Sequence, residues 1–116
     1  EKFLNQVVLI ETDKRPLNLL QTLQSIELKL GRVRVTKKDG YSSRVIDLDI
    51  LFYQNEVIDT HDLTIPHKLL HQRRFTLVPL SEVAGEFVHP VFKKTIFQLL
   101  NECPDNSYVY KFCGGV

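Results

Sequence analysis

"RVIDLDILFY", residues 44–53, sets two carboxylates into one of the most apolar stretches of the chain. Val45, Ile46, Leu48, Ile50, Leu51, Phe52 and Tyr53 are β-branched, aliphatic or aromatic, and Ser42-Ser43 and Gln54-Asn55 bound the run, which predicts a β-strand. Side chains of a strand alternate between its faces. Ile46, Leu48, Ile50 and Phe52 therefore share an apolar face, and Val45, Asp47, Asp49, Leu51 and Tyr53 share the other. Asp47 and Asp49 point the same way, ~6–7 Å apart at the rise of a strand. Like charges this close repel unless something positive sits between them. Either the face is half-solvated and water screens the pair, or the pair collects a divalent cation. Hard carboxylate oxygens with no cysteine nearby suit Mg2+ or Mn2+ better than Zn2+.

Around this strand the pattern mixes helices and strands. "FLNQVVLIET" (3–12) predicts a strand with Phe3, Asn5, Val7 and Leu9 on one face and Leu4, Gln6, Val8 and Ile10 on the other. A helix is expected to start over Asp13 to Pro16 and to end at Gly31. Leu19, Leu23, Ile26 and Leu30 form its buried stripe, and Leu20, Gln24 and Glu27 form a second stripe ~100° round, at the border with solvent. Residues 32–43 have no sustained period and predict a mobile basic loop. After the Asp strand, Gln54-Asn55 turns toward a short strand at Val57-Ile58, and "LTIP" (63–66) is another extended piece, with Thr64 and His67 near its end. Residues 68–84 predict one interrupted helix, broken at Pro79, and 93–102 predict a last helix; 103–116 is assigned to no element. Short turns favour antiparallel pairing, so the class is α+β, with helices packed on a largely antiparallel sheet.

A chain of 116 residues is expected to form a single domain (1–116) with a core that needs no staples. No apolar run approaches the ~18 residues of a membrane span, and no signal-peptide pattern opens the chain, which predicts a soluble cytoplasmic protein. Cys103 and Cys113 form no CxxC pair and read as reduced thiols. A net charge of +1 argues against wholesale nucleic-acid binding. The distribution is less even. Lys29, Arg32, Arg34, Lys37, Lys38 and Arg44 face a single acid, Asp39, over 29–44.

Taken alone such a run is a solvated loop. Beside two aspartates on one strand face it suggests a polyphosphate site, because guanidinium groups bind phosphate oxygens in bidentate fashion while carboxylates gather the metal those phosphates need. His67 and His71 stand at i, i+4, a zinc-chelating spacing on a helix, but "KLL" between them offers no protease glutamate and no third ligand stands out. His67, with Arg73 and Arg74 beyond it, instead adds donors to the anion site; His61, His71 and His89 read as ordinary surface or turn residues. No G-x-x-x-x-G-K-[ST] occurs, so phosphate handling is not of the P-loop kind.

"IELKLGRVR" (26–34), "SRVIDLDILFY" (43–53), "LTIPHKLLHQRRFTLVPLSEVA" (63–84) and "HP" (89–90), in this order and spacing, closely resemble the 6-hydroxymethyl-7,8-dihydropterin pyrophosphokinases of folate biosynthesis. The resemblance runs from about Phe3 to about Leu100. It implies a ferredoxin-like fold and transfer of pyrophosphate from ATP to the pterin hydroxymethyl group, releasing AMP. It also implies that Asp47 and Asp49 hold two Mg2+ ions bridging the ATP phosphates. Arg32, Arg34 and Arg44 would lie in or beside a loop closing over the triphosphate, Arg34 and Arg44 being the direct contacts. His67 and Arg73 would bind phosphates, and Leu20, Gln24, Glu27, Ile50 and Thr64 would surround the adenosine. Phe3 and Phe75 would sandwich the pterin ring while Asn5 hydrogen-bonds its edge.

The sequence also departs from the family pattern. The loop between Arg34 and Arg44 differs in length and lacks a tryptophan, for which Tyr41 can substitute, and Lys68 stands where an aromatic often follows the histidine. A first strand with a Gly-Ser-Asn signature, a first helix and a pterin-reading loop are missing from this stretch. The alternative is thus a catalytically incomplete fragment, or a ferredoxin-like RNA-binding module, although no RNP1 pattern occurs and paired aspartates would be unexplained. The expected partners are ATP and the dihydropterin, with no nucleic acid and no membrane, in a monomer or weak homodimer.

Overall fold

The computed structural model describes residues 4–32, Arg32 without its side chain, and 46–111. Among the described residues the order is α1 (Pro16–Arg32), β1 (Ile58–Asp59), β2 (Thr64–Ile65), a 3-10 turn (Leu70–Gln72), α2 (Arg74–Ala84) and α3 (Ile96–Glu102). No helix among them is long and apolar enough to cross a membrane. Phe3, the loop from 33 to 43 with Tyr41, and Arg34, Arg44 and Cys113 lie outside the described residues; the Cys103 thiol is free.

The heart of the fold is the α2–α3 pair. Leu70, Leu77, Leu80, Ile96 and Leu99 form one buried cluster, against which Val7, Leu51, Phe52 and Phe87 pack. α3 starts on a capping box: the Thr95 hydroxyl accepts from the Gln98 amide at 3.1 Å, and the Gln98 side chain accepts from the Thr95 amide at 2.7 Å. The helical reading of 68–84 needs one correction. The interruption falls at Arg73, whose backbone is extended (φ −122, ψ 106), and Pro79 sits inside α2. A proline there removes the bond its own N–H would have made and crowds the carbonyl of Phe75 four residues back, a cost of about 3 kcal/mol. Packing of Leu77 and Leu80 on either side outweighs that loss.

β1 and β2 pair antiparallel, Ile58 opposite Ile65 and Asp59 opposite Thr64, one residue later in β1 than the sequence suggests. Thr60 closes the turn: its amide donates to the Leu63 carbonyl at 2.9 Å, and its hydroxyl accepts from the Leu63 amide at 3.1 Å. The two strands expected at 3–12 and 44–53 take no place in a ladder among the described residues. Both stretches have strand composition, but a strand exists only where a neighbour completes its hydrogen bonds. Leu4, Val8, Leu9 and Ile10 are exposed, and only Val7 reaches the core. Likewise the α1 stripe is buried only at its first position, Leu19, while Ile26 and Leu30 are exposed, since no other named helix or strand packs extensively on α1.

Residues 46–53 are tied to the rest through their surroundings. The His67 amide donates to the Leu51 carbonyl at 2.9 Å, and the Tyr53 hydroxyl donates to the Lys14 carbonyl at 2.5 Å. Asp47 and Asp49 are both exposed and Leu48 and Ile50 half-buried, as alternation requires. The alternation ends at Leu51, which joins Phe52 against the core instead of lying on the aspartate face.

His89 is not the ordinary turn residue the sequence suggests. It is only 3% exposed, and its Nδ1 accepts from the amides of Val91 and Phe92, each at 3.1 Å, while its ring stacks on Phe92 at 4.3 Å. With Nδ1 so committed, the neutral ring carries its proton on Nε2. Burial first, and the nearby His71 second, hold its pKa below the ordinary histidine value. The unfolded chain therefore takes up this proton at a higher pH than the folded one, so stability falls as the pH drops below the unfolded value. His89→Asn keeps an acceptor for the two amides and removes the titration. Urea midpoints between about pH 7.5 and about pH 5 are expected to fall less steeply in this variant. Equal slopes would contradict the assignment.

Candidate active site

Three segments meet around His67. The Asp49 carboxylate, 57% exposed, lies 3.9 Å from Nε2 of His67, which is 22% exposed. The His67 Nδ1 accepts from the Leu69 amide at 3.1 Å, so the neutral ring turns its Nε2–H toward Asp49. Burial lowers the His67 pKa, the Asp49 charge raises it, and the Arg73 charge lowers it again, with burial the largest influence. Arg73 is thus within electrostatic reach of His67, and its guanidinium stands 5.6 Å from the centre of the Phe75 ring. A carboxylate, an imidazole, a guanidinium and an aromatic ring, drawn from the 46–53 segment, the end of the hairpin and the start of α2, form one surface. Thr64 and His67 also border a cavity of about 380 Å³ that extends past Lys68 to His71, His89 and Phe92.

α1 reaches the same surface through Glu27. Its carboxylate accepts from the Leu48 amide at 2.5 Å, and Leu48 stands between the two aspartates. This charged hydrogen bond ties the helix border stripe to the aspartate pair. In Glu27→Ala the Leu48 amide loses its acceptor and is expected to exchange with solvent at least about tenfold faster, whereas Glu27→Gln, which keeps an oxygen, retains most of the protection. Leu48 exchange unchanged in the alanine variant would contradict the contact.

Of the residues singled out in the sequence, Asp49, His67, Arg73 and Phe75 come together, and Glu27 joins them through Leu48. Asp47 is exposed one residue from Leu48, Ile50 is half-buried on the far side of Asp49, and Thr64 lies in β2 just before His67. On α1, Leu20 is half-buried and Gln24 exposed. Asn5 is exposed and makes no hydrogen bond among the described residues. Arg32 is described without its side chain, and Phe3, Arg34 and Arg44 fall outside the description.

Two residues escaped the sequence reading. His89 carried a signal only in the His-Pro step that belongs to the family resemblance, and by itself reads as an ordinary surface or turn residue. Asp105 carried none: it sits in the unassigned tail, yet its carboxylate accepts from the Arg74 amide at 3.0 Å, across 31 residues of sequence.

Residues 1–85 match the family model described as 7,8-dihydro-6-hydroxymethylpterin-pyrophosphokinase. The chain belongs to this family. It is 42% identical over 107 residues to a 2-amino-4-hydroxy-6-hydroxymethyldihydropteridine pyrophosphokinase of Haemophilus influenzae, covering 92% of this chain and 64% of the relative. The identity is 41% over 100 residues to the protein of the same name from Synechocystis, with 86% of this chain and 50% of the relative covered. A folic acid synthesis protein of Dictyostelium discoideum is 37% identical over 110 residues, which is 95% of this chain and 16% of that protein. The chain thus spans between 16% and 64% of the length of these relatives.

Proposed function

We propose that the protein carrying this chain transfers pyrophosphate from ATP to 6-hydroxymethyl-7,8-dihydropterin, and that the chain supplies most of the nucleotide site within a ferredoxin-like domain. The observation that carries this reading is the convergence of Asp49, His67, Arg73 and Phe75 on one surface in a member of the pyrophosphokinase family. The roles are those the family resemblance implies, and the chemistry of the residues suits them. Arg73 presents a fixed fork of donors suited to phosphate oxygens, and the Nε2–H of His67 adds one more. Arg32, at the end of α1, with Arg34 and Arg44 completes the phosphate clamp. Leu20, Gln24, Glu27, Ile50 and Thr64 border the adenosine; one Glu27 oxygen holds Leu48, leaving the other for the nucleotide. Phe75 stacks on the pterin face opposite Phe3, with Asn5 on its edge.

Asp47 and Asp49 fit Mg2+. Among the described residues no three metal-ligating side chains cluster, and Mg2+ needs no such cage, since it keeps several waters and takes one or two carboxylates plus substrate phosphates. Two exposed carboxylates separated by one residue supply that share for a pair of ions. When bound, Mg2+ neutralises the charge that builds on the phosphates. The chain's own residues orient the reactants. The pterin hydroxyl oxygen attacks the β-phosphorus in line and gives up its proton to solvent, the bond from the β-phosphorus to the α,β-bridging oxygen breaks, and AMP leaves. Alignment of acceptor and phosphate is worth up to ~7–11 kcal/mol of a barrier, so the aromatic clamp and the arginines contribute through positioning.

The products test the reading. The full-length protein with ATP, Mg2+ and 6-hydroxymethyl-7,8-dihydropterin should release one AMP for each pterin diphosphate formed, with both outer phosphorus atoms of ATP appearing in the pterin product. Release of ADP, or AMP and inorganic pyrophosphate without pterin modification, would contradict it.

A further inference from the structure

We propose that Asp105 is a positioning residue for this reaction: from the C-terminal tail it caps the first turn of α2 and so aims Arg73 and Phe75 at the substrates. The inference rests on the functional reading above and extends it to a part of the chain beyond the matched residues 1–85.

α2 begins badly by local rules. Its N-cap is Arg73, whose side chain makes no capping hydrogen bond, and no acidic residue stands in the first turn. Helix starts leave amide groups without intrahelical partners, and serine, threonine, aspartate or asparagine ordinarily satisfies them. Here the missing acceptor comes from far along the chain: Oδ2 of Asp105 takes the Arg74 amide at 3.0 Å. Asp105 is itself fixed. Its Oδ1 accepts from the Ser107 amide at 2.9 Å and from the Ser107 hydroxyl at 2.5 Å, an Asx-type turn that locks the carboxylate's direction. These bonds, that of the Ser107 hydroxyl foremost, hold the Asp105 carboxyl below the ordinary aspartate range, so it is ionised at neutral pH and favourably placed at the positive end of α2.

The capped amide belongs to Arg74. Its chain neighbours are Arg73, assigned to the ATP phosphates, and Phe75, assigned to the pterin face, and the Arg73 guanidinium already stands over the Phe75 ring. Both side chains leave the backbone within one residue of the hydrogen bond to Asp105, so a frayed first turn would move both. The tail continues along the same helix to Lys111, whose ammonium lies 4.0 Å from the Glu82 carboxylate, a weak exposed pair that marks its course.

Asp105→Ala in the full-length protein is expected to free the Arg74 amide to exchange and to weaken binding of 6-hydroxymethylpterin and of a non-hydrolysable ATP analogue by roughly fivefold to tenfold, the equilibrium equivalent of one helix cap. Adenosine, which touches neither Arg73 nor Phe75 in this assignment, should bind as before. Ser107→Ala, which keeps the carboxylate but loses one of its two Ser107 donors, should show a smaller loss of the same pattern, and it serves if Asp105→Ala fails to fold. Thr95→Ala is the control. It removes the cap of α3 and so lowers stability to a similar degree, away from the site, and should leave pterin affinity unchanged. Equal weakening in the Asp105 and Thr95 variants, or intact pterin affinity with a freed Arg74 amide, would overturn the positioning role. Absence of any pterin or nucleotide binding by the unsubstituted protein would instead overturn the functional reading, and this inference with it.

Discussion

Replacing Asp47 or Asp49 with alanine is expected to reduce pyrophosphoryl transfer by the full-length protein about a thousandfold or more while leaving its fold comparable. The size follows from the metal-holding role proposed for the two carboxylates. Charge stabilisation by a held cation is worth several kcal/mol, and each ~1.4 kcal/mol is tenfold in rate. The fold is expected to survive because both side chains are exposed and the apolar residues beside them, Leu51 and Phe52, make the core contacts. Circular dichroism and a thermal midpoint measured beside the AMP-release rate would separate the two effects. Turnover within about tenfold of the unsubstituted protein in either variant would contradict the role given to the pair.

The largest stability effect is expected at Leu77. It is fully buried in α2 and belongs to the cluster that joins α2 to α3, so Leu77→Ala leaves a cavity with few ways to collapse. Such truncations cost about 2–5 kcal/mol, against a total of roughly 5–15 kcal/mol for a domain. The loss also loosens the helix that carries Phe75, so activity should fall at temperatures where the variant remains largely folded. Leu28→Ala is the contrast: Leu28 is 60% exposed, and its removal should change stability by less than about 0.5 kcal/mol. Urea unfolding of both variants decides. Similar losses would mean that the α2–α3 cluster is not where the stability resides.

How far the sequence reveals this molecule depends on how local each feature is. The helix from Pro16 is legible because its period and its proline start are local; of the 58–65 hairpin the sequence shows the two short extended pieces but not that they pair with each other. Strand composition at 46–53 predicts the alternation that leaves Asp47 and Asp49 exposed with Leu48 and Ile50 half-buried, but composition carries no information about a hydrogen-bonding neighbour, and no ladder accompanies the segment among the described residues. Pro79 misleads since local propensity argues for a break that Leu77 and Leu80 override through packing. Asp105 and Glu27 mark the other limit. Each accepts one backbone amide from a distant segment, Arg74 and Leu48, and nothing in the flanking residues of either announces its partner. The aspartate pair, the histidine and the arginine are legible by residue type; that Asp49, His67 and Arg73 come together is a property of the fold.

The most direct test of the site is a Mn2+ titration of the full-length protein followed by electron paramagnetic resonance, with and without a non-hydrolysable ATP analogue. The account expects about two bound ions per chain that depend on the analogue, with loss of at least one in Asp47→Ala and in Asp49→Ala. Unchanged Mn2+ binding in both variants would contradict the assignment of the paired aspartates.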